Sequence, residues 1–151
     1  MKITTWNARG LNASSKQRLL LHNLKAFESE IIMLQETKLN KEEGQKLENK
    51  MRRWNLHQQE SRGASGGLGF IWKQRKVCLK IIESRHSWIN CHVKGIISNL
   101  QFLLINVCGP IQNLDEKSIW AELSNFINNY NNEIIIIGGD FNTIISLEEK
   151  A

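Results

Sequence analysis

Apolar positions along the chain alternate between short β-branched runs and stretches with helical spacing. Lys2 to Trp6 is a short β-prone run that stops at Asn7-Ala8-Arg9-Gly10-Leu11-Asn12, a turn-rich polar loop. Leu20, Leu24 and Phe27 then recur at helical spacing, with Ser14 or Ser15 placed to cap that helix. Ile31-Ile32-Met33-Leu34 has the pattern of a buried strand and ends at Gln35-Glu36-Thr37. Asn40-Lys41-Glu42-Glu43 reads as a capping box, and Leu47, Met51 and Trp54 supply one helical face behind it. Ser61 to Gly67 is a flexible, glycine-rich loop before the strand-like Leu68 to Trp72. Val77 to Ile82 and Trp88 to Val93 read as antiparallel strands, because only a short turn separates them. Gln101 to Val107 is a further strand, ending at Cys108-Gly109-Pro110, and Asp115 caps a helix faced by Ile119, Leu123 and Phe126, with Ile127 beside them.

The last run, Ile134 to Ile137, holds four consecutive isoleucines, which predicts a strand buried on both sides. It leads through Gly138-Gly139 into Asp140-Phe141-Asn142-Thr143. Gly, Asp and Asn are ordinary turn residues, but a carboxylate and an amide at the tip of a core strand also suit a site. Three predicted strands end this way: Asn7 follows Trp6, Glu36 follows Leu34-Gln35, and Asp140 with Asn142 follows the isoleucines. If these strands run side by side in one direction, their ends gather along one sheet edge, where α/β proteins place their sites. Two carboxylates and two amides there suit a hard cation such as Mg²⁺ or Mn²⁺, not zinc. A metal near a phosphate ester neutralises developing charge, and an aspartate held by an asparagine acts as base toward water.

The 151 residues suffice for one domain with a core, and 41% apolar with 23% charged content fits a globular chain. No repeat and no linker divides it. The apolar runs are too short to span a bilayer, and Met-Lys-Ile-Thr-Thr-Trp has no signal-peptide core, so no membrane partner is expected. Cys78, Cys91 and Cys108 are odd in number and lack metal spacing, which fits a reducing, intracellular compartment. The net charge of +5 is uneven: residues 1–94 carry 18 Lys and Arg against 8 Asp and Glu, the rest 2 against 7. A basic first portion suits an anionic polymer, although a solvated surface explains the same charge.

Trp6-Asn7-Ala8-Arg9-Gly10-Leu11-Asn12, Leu34-Gln35-Glu36-Thr37-Lys38-Leu39, Gly66-Gly67-Leu68-Gly69, Asn106-Val107-Cys108-Gly109-Pro110 and Gly139-Asp140-Phe141-Asn142 resemble the successive motifs of the endonuclease/exonuclease/phosphatase superfamily. They most resemble the apurinic-type endonuclease domain of plant non-LTR retrotransposons. Each motif alone is weak; their order and spacing over the whole chain carry the resemblance. It implies an α+β fold, part of a four-layer α/β/β/α sandwich with two mixed sheets, spanning residues 1–151 as the N-terminal part of such a domain. It implies a Mg²⁺-dependent phosphodiesterase (Mn²⁺ as alternative) acting on DNA, with no small-molecule cofactor; the location within the cell stays open, the nucleus being one option. By resemblance, Glu36 binds the metal, Asn7 positions metal and phosphate, Asp140 orients or deprotonates the attacking water, and Asn142 holds the phosphate.

Two departures stand out. Cys108 replaces the family's usual tyrosine, and a thiol is a poorer hydrogen-bond donor than a phenol. The family's second aspartate with its serine, and its Asp-His pair, are expected beyond the last residue, and His22, His57, His86 and His92 sit in no matching motif. A domain lacking its last strands keeps an open edge and an apolar face, which invites self-association. Three functions therefore stand: a DNA-nicking hydrolase, an inert remnant, or a nucleic-acid-binding module. Arg9 and Lys38 fit phosphate contact or plain solvation, Gly66-Gly67 a substrate-side loop or a hairpin, and the tryptophans base stacking or core.

Overall fold

The computed structural model describes residues 1–26, 28–62, 66–109 and 113–142, with the backbone alone for Lys25 and residues 113–117. Phe27, Pro110 and Thr143, which the sequence reading invoked, lie outside the described residues, as does the middle of the 61–67 loop. The elements in order are β1 (Ile3–Asn7), α1 (Ser14–Ala26), β2 (Ile31–Gln35), α2 (Lys41–Lys50), β3 (Trp54–Gln59) and β4 (Leu68–Lys73). Then come β5 (Val77–Ser84), β6 (Trp88–Gly95), β7 (Gln101–Cys108), α3 (Asn113–Asn128) and β8 (Ile135–Asp140). One sheet has the order β1-β2-β4-β3, the other β5-β6-β7-β8. Each is mixed: β1 is parallel to β2 and β7 to β8, and the other pairings are antiparallel.

Three apolar clusters define the layers. Leu20 and Leu24 of α1 and Leu47 of α2 pack with Ile32, Leu34 and Ile71 on the outer face of the first sheet. Ile31, Met33 and Phe70 meet Ile89, Val93 and Leu104 between the sheets. Leu123 of α3 packs on Leu103, Ile105 and Val107 of the second sheet's outer face. Helix, sheet, sheet and helix thus follow one another, as the resemblance implied. β2 is apolar on both faces from Ile31 to Leu34 because alternate side chains serve two different cores.

Parallel neighbours need a crossover, and a helix supplies it twice. β1-α1-β2 is one βαβ unit in the first sheet; β7-α3-β8 is another in the second. At α2 the capping box forms as read: Asn40 Oδ1 accepts from Glu43 N at 2.9 Å, and Glu43 Oε2 accepts from Asn40 N at 2.9 Å.

Several expectations are corrected. The isoleucine strand is not buried on both sides: β8 is an edge, and Ile134, Ile136 and Ile137 are exposed. β1 is also an edge and only half-buried, so β2 alone of the three site strands is fully buried. The three do not share a sheet, since β8 lies in the opposite one. Trp54 does not extend the α2 face: the helix ends at Lys50 and Trp54 opens β3, which joins the same core from the sheet side. β3 itself went unforeseen, because Asn55, His57, Gln58 and Gln59 make it polar, as befits an edge. Asp115 does not cap α3, whose backbone is already helical at Asn113.

Candidate active site

Parallel pairing with Asn7 opposite Gln35 makes β1 and β2 release their loops at the same end. The loops then zip together. Ala8 N donates to Gln35 O at 2.9 Å, Gly10 N to Glu36 O at 2.7 Å and Leu11 N to Thr37 O at 2.7 Å. The glycine loop joins from the other side, with Gly67 O accepting from Thr37 N at 3.1 Å and Gly66 O from Lys38 N at 3.0 Å. From below, Lys16 Nζ donates to Ala8 O at 3.0 Å and also to Arg9 O, and Gln17 Nε2 donates to Leu11 O at 2.9 Å.

The second sheet delivers Asp140 to the same end, in register with Cys108. Gly139 has φ +145°, and a Cβ there would lie 1.9 Å from Val107 O, so only glycine lets the two strand tips approach this closely. Asp140 O accepts from Gly109 N at 2.7 Å, and Asp140 Oδ1 accepts from Asn142 N at 3.1 Å.

The two sheets meet chemically at Asn7. Its Nδ2 donates to Glu36 Oε1 at 3.1 Å and to Asp140 Oδ2 at 2.5 Å. Its Oδ1 accepts from Arg9 N at 3.2 Å. One neutral amide therefore ties a carboxylate from each sheet. Asn142 stands beside them but points elsewhere: its Nδ2 donates to Gly109 O at 2.7 Å and to Cys108 Sγ at 3.9 Å. A cleft of about 630 Å³ opens here, lined by Thr5, Asn7, Gln35, Asp140, Phe141 and Asn142. Arg9, Glu36, Lys38 and Asn142 all adopt left-handed φ near +50°, four of the six non-glycine residues that do so among the described residues. Such strain costs about 1–3 kcal/mol per residue and concentrates at functional sites.

Cys108 reports the electrostatics. Its thiol is pushed up to about 11, by burial first and then by the charges of Asp140 and Glu36. The field at the cleft is negative, and the amide that bridges the carboxylates does not neutralise it. Among the described residues no three His, Cys, Asp or Glu side chains cluster as a full metal cage. Two carboxylates and amide oxygens fit Mg²⁺ better than a cage would, because that ion keeps several waters and takes one or two carboxylates plus substrate phosphate. Glu36 and the Asn7 carbonyl oxygen are the groups that would hold it, with the Asp140 carboxylate beside them.

The family model described as "Endonuclease/Exonuclease/phosphatase family" matches residues 4–148. The chain belongs to this family. No curated protein matches it in sequence. Among solved structures, an endonuclease/exonuclease/phosphatase family protein from Bacteroides thetaiotaomicron is 15% identical with TM-score 0.69, over 95% of this chain and 64% of that one. The 3′ phosphatase NExo from Neisseria, bound to product DNA hairpin, is 20% identical with TM-score 0.71, over 97% of this chain and 60% of that one. The endonuclease domain of TRAS1, a telomere-specific non-LTR retrotransposon, is 10% identical with TM-score 0.69, over 93% and 60%. This family member therefore spans somewhat less than two thirds of the length of these structures, and identities this low show the shared fold alone.

The four residues singled out from sequence thus lie at one end of the sandwich, Glu36 and Asp140 each bonded to the Asn7 amide and Asp140 also to the Asn142 backbone. The histidines do not join them: His22 is exposed, His57 contacts Ser84 Oγ at 3.4 Å, and His92 pairs with Glu133 at 3.1 Å. His86 lines a separate cleft with Arg62 and Trp88, its basicity lowered by burial and then by Arg62. Sequence reasoning passed over Gln35 and Asn106, both buried beneath the site. The available signal was a polar residue set inside, or closing, a run of apolar ones.

Proposed function

We propose that this chain is a Mg²⁺-dependent phosphodiesterase that cuts a DNA strand, with Mn²⁺ able to substitute. The single observation that carries the reading is the Asn7 amide joining Glu36 of one sheet to Asp140 of the other. Glu36 and the Asn7 carbonyl oxygen would hold the metal, whose chemistry there would be to offset charge on the phosphate and lower the pKa of water. Asp140 takes the proton of the attacking water, and its carboxylate is held for this by Asn7 and by the Asn142 backbone. The Asn142 side chain turns from Gly109 O toward a phosphate oxygen when substrate enters. Cys108 lies within reach of Asn142 and stays protonated at neutral pH, so it offers a weak donor where the family has a phenol.

DNA as substrate is supported by the basic residues 1–94 and by the family, whose NExo member is seen with a DNA product. Descent from a non-LTR retrotransposon is supported by the motif wording and by the shared fold of the TRAS1 domain. The test is nicking of supercoiled plasmid with Mg²⁺, with EDTA and with Asp140→Ala. Nicking that needs the metal and Asp140 supports the proposal. Binding of DNA without nicking at any metal concentration sinks it and leaves a binding module.

A further inference from the structure

The two carboxylates come from different sheets, and the core between those sheets is a large apolar cluster. Apolar contact is non-directional. It holds two sheets together without fixing their relative slide to the fraction of an ångström that a metal or proton-transfer site needs. Ser84 Oγ of β5 donates to Gln59 Oε1 of β3 at 2.9 Å at the far margin, and next to the carboxylates a second, more deeply buried polar network crosses the interface. Gln35 Nε2 donates to Asn106 Oδ1 at 2.6 Å, and Asn106 Nδ2 donates to Leu34 O at 3.0 Å and Gly69 O at 2.9 Å. Thr5 Oγ1 donates to Gln35 Oε1 at 3.1 Å. Gln35 and Asn106 are 1% and 0% exposed, so the three bonds of Asn106 are shielded from water, while the Thr5 bond lies at the network's exposed end.

The network's position matters as much as its chemistry. Gln35 immediately precedes Glu36 on the chain. Asn106 sits opposite Gly138 in the β7–β8 register, two residues before Asp140. At that same level the sheets nearly touch, since a Cβ on Gly138 would fall 2.6 Å from Met33 Cε. The bond between the amides therefore spans the sandwich one or two residues behind both carboxylates. Asn106 uses both its N–H groups and its oxygen, and a satisfied buried network of this kind fixes one arrangement among several of similar apolar energy.

We propose that the Gln35–Asn106 amide pair is the positioning element of the candidate site: it locks the slide of one sheet on the other so that Glu36 and Asp140 meet on Asn7. This rests on the reading of those carboxylates as the working groups. The positional claim stands on geometry alone, and its first readout needs no metal. Gln35→Met keeps the length of the side chain and removes the amide. Val93→Ala opens the same inter-sheet core at a residue with no part in the network, and serves as a control for lost stability.

In the metal-free protein, the Asn7 side-chain amide protons are followed by NMR. Bonded to two carboxylates, they exchange slowly with solvent. In Gln35→Met they exchange at least about tenfold faster, while in Val93→Ala their exchange stays as in the unaltered chain. The affinity for Mn²⁺, measured by titration calorimetry well below each variant's unfolding temperature, falls by about 10- to 100-fold in Gln35→Met, the range typical of groups that orient metal ligands. Val93→Ala lowers the unfolding temperature and leaves that affinity unchanged. If Gln35→Met does not fold, Thr5→Val removes only the hydroxyl at the exposed end of the network, and a two- to threefold change in the same direction is expected, on the order of a weakened outer-shell contact. Unchanged Asn7 exchange in the folded Gln35→Met or Thr5→Val protein, or an equal change in Val93→Ala, overturns the proposal. Failure of the unaltered chain to bind Mn²⁺ strikes the hydrolase reading instead, and the Asn7 amide signal still decides the positional one.

Discussion

The two βαβ units of the sandwich use the same plan and end differently. In β1-α1-β2 the second strand lies inside its sheet, apolar from Ile31 to Leu34 and buried at every position. In β7-α3-β8 the second strand is the sheet edge, and its equally apolar sequence leaves Ile136 38% and Ile137 40% exposed. Nothing in four isoleucines distinguishes the two cases. Burial is set by neighbours from elsewhere in the chain, β4 for β2 and none among the described residues for the free side of β8. Yet both strands deliver a carboxylate to the same amide. The site depends on the tips of the units, and the tips agree where the bodies do not.

The largest effect expected from this comparison is on chemistry. If the tips are equivalent halves of one site, Glu36→Ala and Asp140→Ala should each lower plasmid nicking by about 10²- to 10⁴-fold, the range for loss of a positioned base or ligand. The double variant should be little worse than either, because groups that act as one unit are not additive. Independent, multiplying losses would mean that the two tips do not work together.

The second effect concerns the bodies. Ile32→Ala in β2 removes a residue that is 0% exposed and should cost about 2–5 kcal/mol. Ile136→Ala in β8 should cost under about 1 kcal/mol, as at other partly exposed positions. Denaturant unfolding of both variants checks this; equal losses would show that something covers β8 in solution.

Much of this was legible in the residues. The Asn40–Glu43 box was readable because both partners are local and three residues apart. The site residues were readable because each follows an apolar run, and a strand tip is a local feature. The sheet to which each strand belongs was not readable, since pairing is decided at long range. Trp54 shows the limit of periodicity: Leu47, Met51 and Trp54 do share one core, but the chain turns between them and reaches it from two elements. Gln35 and Asn106 were invisible as a pair because 71 residues separate them.

A third expectation tests the open side. An apolar edge strand with free backbone groups recruits other strands, and a lysine placed on it blunts that tendency. Ile137→Lys should raise the monomer fraction at high concentration, seen by light scattering, with a stability change under about 1 kcal/mol. The corresponding lysine at Ile32 should prevent folding. A fully monomeric unaltered chain would remove the need to shield β8.

The smallest effect tests whether the tips share one field. Cys108 ends β7, beside Asp140 and close enough to Glu36 for both charges to hold its thiol up, to about 11 together with burial. Only the thiolate reacts with iodoacetamide, so at pH 8 Cys108 should react slowly, with the exposed Cys78 as the internal reference. The sign is fixed: removing a neighbouring negative charge lowers the thiol's pKa and raises the thiolate fraction. Asp140→Asn should therefore speed alkylation of Cys108, by about threefold for each half-unit of pKa. Glu36→Gln should speed it less, following the order in which the two charges act. Burial is untouched by either isosteric change, so Cys108 should remain slower than Cys78 in both. Acceleration in the Asp140 variant alone would mean that the β2 tip stands apart from the β7–β8 tip, and that the Asn7 bridge does not persist in solution.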